Sequence, residues 1–322
     1  MKKILIIGST GQIGSELSIR LRSIYGIDNV ICGYYTPPYP EGFFEAGPTV
    51  EINALHIEQI ASTVKKYKID TIYNLVAILS ATAEKFPQLG WDVGIGSLMN
   101  CLDVARDLGC AVFTPSSIGA FGANTPKDRT PQDTVMRPNT VYGITKVLGE
   151  LVSDYYFDRW KVDTRSVRFP GIISSLTLPG GGTTDYAVEI FYKAVMGEEF
   201  VCPLEKGTFL DMMYMPDALD AAIQVMEADP ARLIHRNSFN VTAMSFDPEM
   251  LYQEIRKHYP TFSMRYEIDP LKQHIADSWP NHLDDSCARE EWGWQPHYDL
   301  PKMTADMIAQ LRDCVKSLSL RT

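Results

Sequence analysis

Tyr142 and Lys146 stand four residues apart in Tyr142-Gly143-Ile144-Thr145-Lys146. On a helix that spacing puts both side chains on one face. A lysine ammonium beside a tyrosine favours the phenolate. Tyr142 is therefore a candidate general base toward a hydroxyl, or acid toward a carbonyl. Such a pair also arises by chance on surface helices, so it needs company to carry weight. Upstream, Ser116-Ser117-Ile118-Gly119-Ala120-Phe121-Gly122 follows a short apolar stretch and offers hydroxyls at a turn. At the amino end lies Gly8-Ser9-Thr10-Gly11-Gln12-Ile13-Gly14. Glycines spaced in this way permit a tight turn, close approach of backbone to a pyrophosphate, and close helix–strand packing. A helix that starts there supplies unpaired N–H groups and a partial positive charge for phosphates. The three features together point to proton and hydride chemistry on a dinucleotide.

Elements of the right kind stand in the right places to position these residues. Lys3–Ile7 is a short apolar run that ends in glycines, as a buried parallel strand does. Gln12–Tyr25 carries Ile13, Leu17, Leu21 and Ile24 at helical spacing. Further strands are expected at Asn29–Gly33, Thr49–Ile52, Asp70–Val76, Cys110–Pro115 and Asp163–Arg168. Helices are expected at His56–Tyr67, Leu89–Leu108 and Thr140–Trp160. Strands alternating with helices predict an α/β fold with a doubly wound parallel sheet, whose ligands bind at the carboxyl ends of the strands. Beyond Gly171 the pattern loosens: a glycine run at Gly180–Gly182, a helix at Thr184–Met196, a strand near Met212–Met215, a helix opening at Pro216, and a last helix at Pro301–Val315. We expect residues 1–170 to form the dinucleotide-binding domain. Residues 171–322 should form mainly a smaller substrate-binding lobe, interleaved with the sheet.

The second strand ends in Ile31-Cys32-Gly33-Tyr34-Tyr35-Thr36, with neither the usual ribose-binding acid nor an arginine. No Arg or Lys occurs from Asn29 to Val64, so a 2′-phosphate would meet no cation there. That favours NAD over NADP. Tyr34 is placed to pack at the ribose, and Glu51 and Ile52 at the adenine edge. Leu75 and Ala77, at the end of the fourth strand, are counted with the cofactor-binding residues.

The rest of the composition mainly excludes. With 322 residues the chain can bury a sizeable core without disulfides or metals. A formal net charge of −10 makes a poor general binder of nucleic acid or anionic membrane. No two of the six cysteines form a C-x-x-C pair, which reads as reduced thiols inside a cell. The six histidines show no metal-binding spacing, so no metal is expected. No targeting segment or membrane span is visible, and a cytoplasmic or mitochondrial-matrix protein is expected.

Taken with the tail Trp292-Gly293-Trp294-Gln295-Pro296, these motifs resemble the extended short-chain dehydrogenase/reductase family over nearly the whole chain. The resemblance implies a Rossmann domain and makes Ser117 the catalytic serine. It implies that Lys146 binds the nicotinamide ribose, that Pro170–Ile172 edge the carboxamide, and that Asn100 helps to organise the proton relay. Most such enzymes act on nucleotide-linked sugars, and a UDP-galactose-type 4-epimerase is the rival reading. The dehydratase acid beside the serine is missing from Thr114-Pro115-Ser116-Ser117. The asparagine with which sugar epimerases hold a diphosphate is missing from Arg168-Phe169-Pro170-Gly171-Ile172-Ile173-Ser174. Three stretches, Ala77–Glu84, Gly180–Ala187 and Asp211–Ala218, closely resemble the short-chain, zinc-independent family of L-threonine 3-dehydrogenases. That family oxidises threonine with NAD to 2-amino-3-ketobutyrate, which can lose carbon dioxide to give aminoacetone. A small zwitterion suits the residues. Thr183, Thr184 and helix-start N–H groups suit its carboxylate. Asp185 either attracts the ammonium or matches the charge of a helix start. Ser80 is a nicotinamide-end hydroxyl or a turn hydroxyl, and Trp279 is a lid over the substrate or a packing residue. The family also implies a homodimer built on Leu89–Leu108 and Thr140–Trp160.

Overall fold

The computed structural model describes residues 1–177 and 182–319, with side chains through Arg312. Most of the Gly180–Gly182 run and the Cys314 side chain thus lie outside the described residues. The first half runs β1 (Ile4–Ile7), α1 (Gln12–Tyr25), β2 (Val30–Tyr34), β3 (Thr49–Glu51), α2 (Ile57–Tyr67), β4 (Thr71–Asn74), α3 (Ser80–Lys85), α4 (Pro87–Leu108), β5 (Ala111–Phe113), β6 (Ser116–Ser117) and α5 (Val141–Trp160). The second half runs β7 (Thr164–Arg165), β8 (Val167–Phe169), β9 (Gly171–Ile173), α6 (Tyr186–Met196), β10 (Phe200–Cys202), β11 (Leu210–Tyr214), α7 (Met215–Glu227), β12 (Phe239–Asn240), β13 (Met244–Phe246), α8 (Pro248–Arg256), β14 (Met264–Tyr266), α9 (Pro270–Asp277), α10 (Ser286–Trp292) and α11 (Leu300–Ser319).

The main sheet has six strands in the order β3-β2-β1-β4-β5-β7, all parallel. Its centre, Ile-Leu-Ile-Ile of β1, is buried at every residue because helices cover both faces. On one face α2 and α4 bury Ile60, Val64, Leu98 and Leu102 against Leu5 and Ile7. On the other, Leu17 and Leu21 of α1 meet Ala218, Ala222 and Val225 of α7, with Trp294 in the same cluster. Chain from beyond residue 170 therefore completes the second layer of the dinucleotide half. A separate cluster around Phe191, Phe246 and Met307 forms the core of the smaller lobe.

Asp163–Arg168, expected as one strand, divides at Ser166. Thr164–Arg165 edges the main sheet, while Val167–Phe169 joins a second sheet ordered β12-β8-β6. The cause is local. Ser166 turns its hydroxyl to Ser238 at 3.1 Å and its carbonyl to the Phe239 N–H at 3.1 Å, so the chain leaves one ladder and enters another. Cys110–Pro115 shortens to β5 for the parallel reason, and the chain re-pairs at Ser116–Ser117. No helix among the described residues is long and apolar enough to cross a membrane.

Candidate active site

A solvent-open cleft of about 1500 Å³ lies beyond the carboxyl ends of β1, β4 and β6. Gly8, Thr10, Gly11, Gln12, Ile13 and Gly14 form one wall. Gly8 has φ +84°, a left-handed value that favours glycine, and a Cβ on Gly14 would come within 2.8 Å of the Ser9 Cα. α1 starts at Gly11 with no side-chain cap and no acid in its first turn. Its first N–H groups are thus left for a ligand, and this cradle fits a pyrophosphate. Ser9 does not line the cleft: its buried hydroxyl donates to the Gly33 carbonyl at 2.8 Å and ties the turn to β2.

The opposite wall is the start of α5. Thr140 Oγ1 accepts the Gly143 N–H at 3.0 Å, and Glu84 of α3 accepts the Val141 N–H at 2.7 Å. Two of the helix's orphan donors are thereby capped on either side of Tyr142, which fixes where its ring starts. The Tyr142 ring lies against Gly119, and Ser117 Oγ accepts the Gly119 N–H at 3.1 Å. Lys146 Nζ sits 5.3 Å from the Tyr142 ring centroid and donates to the Pro115 carbonyl at 2.7 Å. Ser117, Tyr142 and Lys146 thus share one wall of one cleft, as their spacing leads one to expect. A phenol oriented by a turn and flanked by an ammonium can exchange a proton with a substrate hydroxyl.

Behind this wall is a buried ionic network that sequence reasoning missed. Ser116 donates to Glu150 at 2.5 Å, and Arg168 grips both Glu150 oxygens at 3.0 and 2.8 Å. Arg168 also reaches the Gln132 carbonyl at 2.8 Å and Asn240 Oδ1 at 3.0 Å. Each ionic side chain is 5% exposed. The network pins the Ser116–Ser117 turn to α5 on one side and to β12 on the other. The signal was present only as one charge, Arg168, in the otherwise apolar strand β8.

The far end of the cleft is small and polar. Ser80, at the first turn of α3, is buried and faces the cleft with Leu79. Thr183, Thr184 and Asp185 face it from a turn of 3₁₀ helix. Among the described residues, the buried Thr183 hydroxyl has no hydrogen-bond partner. A Cβ on Gly171 would come within 2.7 Å of the Thr184 methyl, so glycine there lets Thr184 close on β9. Ile172 and Pro170 border the same region. Asp185 accepts the Gly182 N–H at 2.7 Å and so stiffens its own turn. Trp279 is buried against the smaller core and also forms cleft wall. Thr177 lines the cleft just past Ser174, whose hydroxyl donates to Glu16 at 2.5 Å. Burial pushes the Glu16 carboxyl up, against the lowering effect of that hydrogen bond.

Leu75 and Ala77 line the cleft as expected. Besides Ser9, four expected cofactor residues do not. Tyr34 joins an aromatic cluster with Tyr39, Phe43 and Phe44, which occupies the end of β2 where an acid is usual. Glu51 is exposed beside it in the ladder, and the Ile52 side chain enters the core. The Asn100 amide donates to the Ala54 carbonyl at 2.9 Å and so holds the loop after β3.

Residues 4–241 match the NAD dependent epimerase/dehydratase family. An uncharacterized epimerase/dehydratase of Staphylococcus aureus is 50% identical over 98% of this chain and 99% of its own length. The solved L-threonine dehydrogenase of Clostridium difficile is 51% identical, covers 98% of both chains and superposes with a TM-score of 0.95. The holo form of a GalE-like L-threonine dehydrogenase from Cupriavidus necator is 48% identical over 96% of this chain and 99% of that one, with a TM-score of 0.93.

Proposed function

The chain belongs to the NAD-dependent epimerase/dehydratase family, and we propose that within it the protein oxidises L-threonine at C3 to 2-amino-3-ketobutyrate. The observation that carries this reading is the near-complete likeness to threonine dehydrogenases at about half identity. The cleft agrees with it, since Ser80, Thr183, Thr184 and Trp279 line it together with Tyr142.

NAD supplies the hydride acceptor. The glycine turn and α1 would hold its pyrophosphate, and Lys146, Leu75, Ala77 and Ile172 would border its nicotinamide half. Ser117 orients the C3 hydroxyl toward Tyr142. Tyr142 takes the hydroxyl proton as the C–H bond at C3 gives up its hydride, so one C=O bond forms and two electrons leave with that hydride. Lys146 holds its ammonium beside the Tyr142 ring. Thr183 and Thr184 offer donors to the carboxylate, and Asp185 sets the turn that carries them.

The test measures NADH formation with L-threonine, L-serine and UDP-galactose side by side, together with Thr184→Val. Threonine should be strongly preferred, and the variant should raise the threonine KM or lower turnover with the NAD Kd nearly unchanged. Epimerisation of UDP-galactose with no turnover of threonine would overturn the assignment. We also propose a homodimer through α4 and α5. Ile144, Leu148, Leu151 and Tyr155 form an exposed apolar stripe along α5, with exposed Leu89 on α4. Sedimentation equilibrium at twice the chain mass supports it, and a monomer sinks it.

A further inference from the structure

The fold brings together His235, Cys287 and Glu291, far from the cleft walls, with one potential ligand atom from each within 4.8 Å of the others. Their arrangement is asymmetric about the imidazole. Glu291 is a buried carboxylate whose Oε1 holds His235 Nδ1, while its Oε2 accepts the Ile234 N–H at 2.5 Å and the His235 N–H at 3.1 Å. The ring is therefore fixed, with Nε2 turned outward. Two further groups converge on that nitrogen: Cys287 Sγ at 4.0 Å and Asp133 Oδ2 at 3.4 Å. Zinc bonds of about 2.0 Å to nitrogen, 2.3 Å to sulfur and 2.1 Å to oxygen, at a tetrahedral angle, would place S roughly 3.5 Å and O roughly 3.4 Å from N. A carboxylate on the far nitrogen of a histidine is the usual outer partner of a metal-bound imidazole.

We propose that His235 Nε2, Cys287 Sγ and Asp133 Oδ2 bind a borderline-soft divalent cation of the zinc or cobalt class, with Glu291 orienting the imidazole. The nitrogen, sulfur and oxygen donor set suits such ions over magnesium or calcium. Three protein ligands leave the fourth position to water. No spacing motif signals the site, because its ligands come from three separate segments: the loop leading to α5, the loop after α7, and α10. Asp133 adjoins Gln132, whose amide donates to the Ser238 carbonyl at 2.8 Å and whose carbonyl receives Arg168. A bound ion would thus clamp the connection between the Ser117 turn and the Tyr142 helix onto the C-terminal part of the chain.

Cobalt(II) and zinc(II) are the probes, used on the full chain stripped by chelator. Wild-type protein should bind one cobalt with a thiolate-to-cobalt absorption band, and zinc should displace it and raise the melting temperature by mass action. Cys287→Ser should abolish the band. Asp133→Asn changes an exposed side chain with little risk to folding, and should weaken zinc binding by at least about 10-fold while NAD binding stays as in wild type. The proposal is overturned if wild type shows no thiolate band, if the band survives in Cys287→Ser, or if Asp133→Asn binds zinc like wild type.

Discussion

Gly143 follows Tyr142, the proposed general base, and offers a test of how closely the cleft walls must meet. A methyl group there would lie 2.5 Å from Pro138 Cβ and 3.0 Å from Thr140 Oγ1, and would collide with the Gly119 carbonyl oxygen. Ordinary carbon contacts begin near about 3.5 Å, so Gly143→Ala requires the helix start and the Ser117–Gly119 turn to part by roughly 1 Å. Alanine improves helix propensity by about 1 kcal/mol, whereas overpacking costs about 1–3 kcal/mol. The net stability loss should therefore stay below about 2 kcal/mol, and the variant should fold. Kinetics should suffer more, because a misplacement of about 1 Å in a reacting group can cost roughly 10²-fold. We expect kcat to fall by that order while the NAD Kd moves little, since the glycine turn is untouched. Gly149→Ala on the same helix is the control. Its methyl would meet only the end of the Leu98 side chain, at 3.2 Å, and its kcat should stay near wild type. Steady-state kinetics and cofactor titration on both variants decide the matter. If Gly143→Ala turns over within a few-fold of wild type, the close seating of Tyr142 on the turn is not needed for catalysis.

Other variants probe the remaining parts. Tyr142→Phe keeps the ring and removes the proton acceptor, so turnover should fall by roughly 10²–10⁴-fold with NAD still bound; near-normal turnover would refute its role. Glu150→Ala strands the Arg168 guanidinium in the interior and should cost about 3–5 kcal/mol in denaturant unfolding. Replacing Arg168 by Met as well should recover part of that loss, and a double variant no better than the single would count against a direct ionic pairing. Burial pushes the Asp211 carboxyl up to about 8, against the hydrogen bonds from Thr242 and Leu283. Its folded value lies above its unfolded value. The stability it contributes is therefore complete below about pH 4 and is lost as pH rises toward about 8. The unfolding free energy of wild type minus that of Asp211→Asn should decline across that window, and a flat difference would refute the assignment.

What could be read from the sequence follows the reach of each interaction. β1, α1 and the glycine turn are local: four buried apolar residues, a helical repeat and three glycines suffice to specify them. Tyr142 and Lys146 needed only the helical period to be placed together. Arg168 was invisible as a support because its partners Glu150 and Asn240 lie 18 and 72 residues away. Asn100 shows the opposite case. A polar residue on the right helix was given a role by likeness, yet the helix turns it to a backbone carbonyl 46 residues upstream. Ser9 is a similar case, since an element-end hydroxyl can serve a neighbouring strand as readily as a ligand. The division of Thr164–Phe169 between two sheets depends on Ser238, which no local pattern announces.

That division limits how the molecule can come apart or be reassembled. β6 and β8 leave the main sheet together, and β8 is capped by β12 from the far side of α7. Ser117 therefore belongs to a ladder shared by both parts of the chain. A fragment cut at residue 170 would carry β8 with a bare edge, an invitation to pair with another copy, and would lack α7 over α1. Rigid swinging of one half against the other would have to break β8–β12 pairing. Access to the cleft must then come from local rearrangement. For the same reason, grafting the C-terminal part of a relative onto this N-terminal part is not a modular exchange. Such a chimera succeeds only if Ser238, Asn240 and their partners Ser166, Gln132 and Arg168 travel as one set.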